Sequence, residues 1–100
     1  MIVARVLGTV VCTQKSSRLD GCKLQLVQPV EYKEFKGEGK PLVAVDAVGA
    51  GQGEIVLLVS GSSARQTEST QNTPVDAVIM AIVDTIDMDG KIIFRKDDEQ

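Results

Sequence analysis

The stretch Val48-Gly49-Ala50-Gly51-Gln52-Gly53-Glu54, running on into Ile55-Val56-Leu57-Leu58-Val59, decides how this chain is read. Glycines at every second position stand between two apolar, β-branched segments. A glycine-rich turn of this kind invites a phosphate-binding reading. The dinucleotide fingerprint, however, needs G-x-G-x-x-G leading from a strand into a helix, so that helix N–H groups meet the pyrophosphate. Here the spacing is G-x-G-x-G and the next segment reads as a strand, so there is no helix N-terminus to hold an anion. The glycines read better as a tight connection between adjacent strands, where glycine permits positive φ or close backbone approach.

Working outward, the same two-residue period recurs. Ile2, Ala4, Val6, Gly8, Val10 and Cys12 alternate with Val3, Arg5, Leu7, Thr9, Val11 and Thr13, which predicts a strand over residues 2–13 with a bend or bulge at Gly8. A second strand is expected over 21–28, joined to the first as a hairpin, and a third over 42–48. The unbroken apolar run within 54–60 predicts a fourth strand buried on both sides. Val78 to Val83 reads as a fifth strand and Lys91 to Arg95 as a last short one, after a turn at Asp87-Met88-Asp89-Gly90. Pro29 to Pro41 and Gln66 to Thr73 read as loops. Thr73-Pro74-Val75-Asp76-Ala77 carries a Thr N-cap, Pro at the first helical position and an acid in the first turn, the chemistry of a short helix. Short strands with glycine-marked turns and one short helix predict a mainly β fold: a single domain over 1–100, built as a small closed OB-like β-barrel.

Composition narrows the function. Only 3% of the 100 residues are aromatic, so the core must be built from Val, Ile, Leu and Ala. No apolar run approaches the roughly 18 residues of a membrane span, and Met1 to Arg5 reads as a strand rather than a signal peptide, so a cytoplasmic location is expected. A net charge of −3 with dispersed acids argues against nucleic-acid and membrane partners. The one basic cluster, Lys33, Lys36 and Lys40, is interleaved with Glu31, Glu34 and Glu38 and reads as a solvated loop.

Each catalytic template fails. The chain has no histidine, which removes the commonest general base and transition-metal ligand. Ser60, Ser62 and Ser63 lie in no G-x-S-x-G elbow. Asp84, Asp87 and Asp89 lack the glycine and downstream Glu spacing of a calcium loop. Cys12 and Cys22 have no zinc-site partners and are expected as buried free thiols, although they could face each other across the first hairpin. No catalytic residue, cofactor or metal is therefore expected. Arg65, between a buried strand and a polar loop, is either an intramolecular ion-pair partner of Asp46, Glu54 or Asp76, or a contact between subunits.

Four segments together resemble one family. They are Ala4-Arg5-Val6-Leu7-Gly8-Thr9-Val10-Val11, Asp46-Ala47-Val48-Gly49-Ala50-Gly51-Gln52-Gly53-Glu54-Ile55-Val56-Leu57, Gly61-Ser62-Ser63-Ala64-Arg65, and Pro74-Val75-Asp76-Ala77 with Ala81-Ile82-Val83-Asp84. In that order and spacing they look like the bacterial microcompartment vertex proteins of the EutN/CcmL type. The resemblance implies a non-enzymatic shell protein with an OB-like barrel that assembles as a homopentamer. It also implies facets tiled by hexameric microcompartment shell proteins, with pentamers at the five-fold vertices. Gly49, Gly51, Gln52, Gly53, Ser62, Ser63 and Arg65 then become the expected residues of the subunit interface or five-fold axis. A neighbouring subunit would also account for apolar residues on both faces of several strands. The competing readings are a small monomeric ligand-binding barrel and an OB-type nucleic-acid binder. The latter needs stacking aromatics, and Tyr32, Phe35 and Phe94 are the only ones present.

Overall fold

A computed structural model describes residues 1–14, 17, 21–61 and 76–96. Its strands are β1 Ile2–Val10, β2 Leu24–Pro29, β3 Leu42–Asp46, β4 Ile55–Ser60, β5 Ala77–Ile82, β6 Thr85–Met88 and β7 Lys91–Arg95. The first five close into a barrel in the order β1-β2-β3-β5-β4. Neighbours run antiparallel except β3 and β5, which are parallel. This is the expected OB-like closure, and it leaves these strands no free edge. The expected helix falls mainly on residues 73–75, outside the described residues; Asp76 is a bend and Ala77 already opens β5. Among the described residues no helix is long and apolar enough to cross a membrane.

The barrel interior is filled by Ala4, Val6, Val27, Ala44, Val56, Leu58, Ala77 and Ile79, joined by Ala50 from the glycine-rich loop. None is aromatic. Small and branched side chains fill a narrow five-stranded lumen without distorting it. Full burial of a side chain such as Leu58 or Ile79 contributes about 1.5–3 kcal/mol.

The bend expected at Gly8 is a β-bulge one residue earlier. Val6 pairs with Val27 and Gly8 with Leu26, so Leu7 has no partner of its own. An extra residue reverses the phase of everything after it. Ala4 and Val6 face the core, but beyond Leu7 it is Thr9 that pairs with inward-facing Gln25, while Val10 pairs with Leu24. Strict alternation placed Gly8, Val10 and Cys12 on the face of Ala4 and Val6; the bulge overturns that assignment. Met80 is the extra residue of a second bulge, where Leu57 pairs with Ala81 and Leu58 with Ile79.

The outer face of the barrel is partly covered by its own chain. Val3 of β1 and Ile55 of β4 form a second cluster with Val30 and with Phe94 of β7, flanked by Phe35, Leu57, Val83 and Ile86. The Phe35 and Phe94 rings meet at 5.4 Å between centroids. The apolar outer faces of β1 and β4 therefore do not by themselves call for a neighbour. A third cluster, Val45 and Val78 with Leu24 and Val59, lies on the outer face elsewhere on the barrel.

Two local readings change as a result. Asp87 and Met88, expected in a turn, end β6; the turn is Asp89-Gly90, with φ of 54° and 77°. Positive φ at both central residues is the requirement of a type I′ hairpin, whose twist matches its strands. Residues 30–37, expected as an open loop, are folded. The Glu31 carboxylate accepts from the amides of Lys33, Glu34 and Lys36, and Val30 bridges to Gly37. These amides, that of Lys33 foremost, hold the Glu31 carboxyl below the usual carboxylate range. The cysteines also differ from expectation: both are free, but Cys12 is exposed and Cys22 half-buried.

Candidate functional site

The loop Ala47 to Glu54 joins β3 to β4 and is exposed along its length except at Ala50 and Glu54. Gly49 and Gly53 take φ of 77° and 86°. Gly51 does not; instead a Cβ there would meet the Glu54 carboxylate at 3.2 Å. The expected positive φ is thus present at Gly49 and Gly53, whereas Gly51 is crowded only by a side-chain end. Gly53 occupies the third position of a turn closed by the Glu54 N–H donating to the Gly51 carbonyl at 3.2 Å, where type II turns need positive φ. No helix follows, so the loop presents no helix N-terminus to a phosphate.

Both ends of the loop are fastened. At its start, the fully buried Asp46 side chain accepts from the Val48 and Gly49 amides at 2.9 and 2.8 Å, an Asx-type turn. Inside the barrel, Gln25 is only 1% exposed. Its Nε2 donates to the Ala50 carbonyl at 2.7 Å and to Asp46 Oδ2 at 3.1 Å, and its Oε1 accepts from the Thr9 hydroxyl at 2.9 Å. A buried polar group is tolerated only when satisfied in this way. Burial pushes the Asp46 carboxyl up, but the Val48 amide, the Gln25 carboxamide and the Gly49 amide outweigh it and hold the group below its ordinary value.

At its end, Glu54 accepts from the Gly51 amide at 2.6 Å and pairs with Lys96 at 2.6 Å. The Gly53 N–H donates to the Val6 carbonyl at 2.8 Å, and the Gly53 carbonyl accepts from Arg5 at 3.2 Å. Lys96, and after it the Gly51 amide, lower the Glu54 carboxyl below its ordinary value of 4.5. A lowered folded-state value means stability that is complete above about pH 4.5 and lost as pH falls through the folded value. Glu54→Gln should therefore flatten the acid side of the stability profile. Urea midpoints measured between about pH 6 and pH 3 check this. An equally steep acid loss in the variant would show that Glu54 is not one of the titrating groups.

The structure gathers Gly49, Gly51, Gln52 and Gly53 in this one exposed loop. Ser62, Ser63 and Arg65 lie outside the described residues. Two of the expected partners of Arg65 are engaged elsewhere, Asp46 by Gln25 and Lys23, and Glu54 by Lys96. Gln25, Arg5 and Lys96 escaped the sequence reading as parts of the site. Gln25 left one faint signal: it shares the phase of Val27, a core position. The outer face of β2 and β3, where OB-type proteins read nucleic acid, offers Leu24, Leu26, Gln28, Val43 and Val45 and no aromatic platform.

A family model described as "Ethanolamine utilisation protein EutN/carboxysome" matches residues 1–84. The chain belongs to the EutN/CcmL family. The bacterial microcompartment shell vertex protein EutN of Salmonella typhimurium is 43% identical over 96 residues, which are 96% of this chain and 96% of that protein. The solved structure of CcmL from Nostoc sp. matches with a TM-score of 0.89 at 46% identity, covering 96% of this chain and 100% of that one. A pentameric microcompartment shell protein from Rhodospirillum rubrum, GrpN, matches with a TM-score of 0.77 at 42% identity, covering 88% and 99%. The resemblance drawn from the glycine-rich loop and its flanking segments is thus borne out.

Proposed function

We propose that this chain is a structural shell protein that forms pentamers at the vertices of a bacterial microcompartment. The observation that carries this reading is near-full-length likeness, in sequence and in fold, to shell vertex proteins, one of them pentameric. A flat hexagonal layer cannot close on itself, and five-fold units supply the missing curvature. A cyclic pentamer needs a heterologous contact, one patch meeting a different patch on the neighbour. The rigidly held, small-residue loop 47–54 suits such close approach, between subunits or around the five-fold axis. Hexameric shell proteins are the proposed partners at the outer edges. The role is structural rather than enzymatic; a chain without histidine, whose carboxylates at the site are engaged in holding a loop, fits it.

Light scattering of the purified protein should return five copies of the 10.7 kDa chain at micromolar concentration. A monomer would overturn the assembly and favour the ligand-binding barrel. Ser62, Ser63 and Arg65 complete the proposed contact. Arg65→Ala should weaken pentamer association more than it lowers the unfolding midpoint, and unchanged dissociation would remove Arg65 from the interface. In the host, loss of this chain should leave facets that form but do not close, giving elongated or open shells.

A further inference from the structure

The vertex role leaves the two cysteines unused. β1 and β2 pair in constant register from Gly8↔Leu26 through Thr9↔Gln25 to Val10↔Leu24. Each step advances one residue on β1 and retreats one on β2. The paired register ends there; continued two steps into the connection, it would set Cys12 opposite Cys22. Both then share the outward phase of Val10 and Leu24, in keeping with an exposed Cys12 and a half-buried Cys22. Directly opposed residues of an antiparallel pair have Cα atoms about 4.5–5.5 Å apart, within the roughly 4.4–6.8 Å that a disulfide requires. Cys22 sits beside fixed backbone: the carbonyl of the next residue, Lys23, accepts from the Asp46 N–H at 2.9 Å, which anchors β2 to β3. Among the described residues no group of His, Cys, Asp or Glu side chains gathers to claim these thiols for a metal.

We infer that Cys12 and Cys22 form a reversible intrachain disulfide that staples the loop end of the β1–β2 hairpin when the protein meets a small-molecule disulfide such as oxidised glutathione. One thiolate attacks a sulfur of the oxidant, whose S–S bond breaks as a protein mixed disulfide forms and one glutathione leaves as thiol. The second thiolate then attacks the protein sulfur of that mixed disulfide. The Cys12–Cys22 bond closes and a second glutathione leaves. The protein gives up two electrons and two protons, and the oxidant is reduced to two thiols. Nothing in this step depends on the shell assignment.

The test uses the full chain, reduced and then equilibrated across a series of reduced-to-oxidised glutathione ratios. The intact mass should fall by two hydrogens in one transition, and digestion should link the peptides carrying Cys12 and Cys22. The product should run as a single chain on a non-reducing gel and revert with dithiothreitol. Oxidation should raise the urea midpoint of the parent and leave that of Cys12→Ser unmoved, while Cys12→Ser and Cys22→Ser each take up one glutathione instead. Two glutathiones bound per parent chain, or chains crosslinked to one another, would overturn the proposal.

Discussion

Gln25→Leu is expected to destabilise the barrel by about 3 kcal/mol, because a side chain of nearly the same volume removes every polar contact that Gln25 makes. The loss is asymmetric. The Thr9 hydroxyl is at the exposed end of the strand and recovers water. The Ala50 carbonyl has no such recourse, since Ala50 sits in the core, and Asp46 Oδ2, on a fully buried side chain, keeps only the Lys23 ammonium at 3.7 Å. Each buried acceptor left short of a donor costs about 1–3 kcal/mol, more for a charged one. Urea unfolding of the variant checks the magnitude. A double-mutant cycle with Asp46→Asn should show coupling, because both side chains hold the same loop. A parent-like midpoint in Gln25→Leu would show that the loop is held without the barrel's polar interior. The same variant should release the Val48 and Gly49 amides to faster hydrogen exchange, since Asp46 would no longer be oriented to receive them.

Gly53→Val should cost about 2–3 kcal/mol through backbone strain. At φ 86° a β-branched residue collides with its own backbone. The turn has little freedom to relax. The Gly53 N–H is engaged by Val6 and its carbonyl by Arg5, so rotating the residue out of the left-handed region breaks its ties to β1. Gly51→Ala should cost less. Its obstacle is Glu54 Oε1 at 3.2 Å, a side-chain end that can shift, though only by loosening the 2.6 Å hydrogen bond it accepts from the Gly51 amide. Urea unfolding ranks the two, and pentamer dissociation reads the proposed contact separately. Valine tolerated at Gly49, Gly51 and Gly53 with association intact would end the case for close approach at this loop.

Much of this architecture is legible in the chain. Two-residue alternation marks β1 to β3, because a half-buried strand has no other way to separate its faces, while β4 shows as an unbroken apolar run and β5 as a β-branched one. The glycine spacing followed by Ile55 to Val59 excludes a strand-to-helix phosphate loop and leaves a strand-to-strand connection. Absence of histidine and scarcity of aromatics remove whole classes of chemistry before any folding is considered. The family resemblance rests on the same segments.

Alternation alone could not locate the bulges. A single unpaired residue at Leu7 inverts the phase of the rest of β1, and only the partner strand reveals which residue is left over. Nor could it show that Val3 and Ile55 are covered by Phe94 and Val30 from distant parts of the chain, because local periodicity says that a face is apolar and not what lies on it. Glu31 folding its own loop depended on three backbone amides converging on one carboxylate. The site divides in the same way. Gly49, Gly51 and Gly53 were visible because glycine announces a backbone requirement by its identity. Gln25 was not, since glutamine is ordinary on a strand until closure of the barrel turns it inward. The sequence by itself determined the barrel strands, the connecting loop and the family. Tertiary structure decided phase, cover and clamp, because each depends on residues far apart in the chain meeting across a closed sheet.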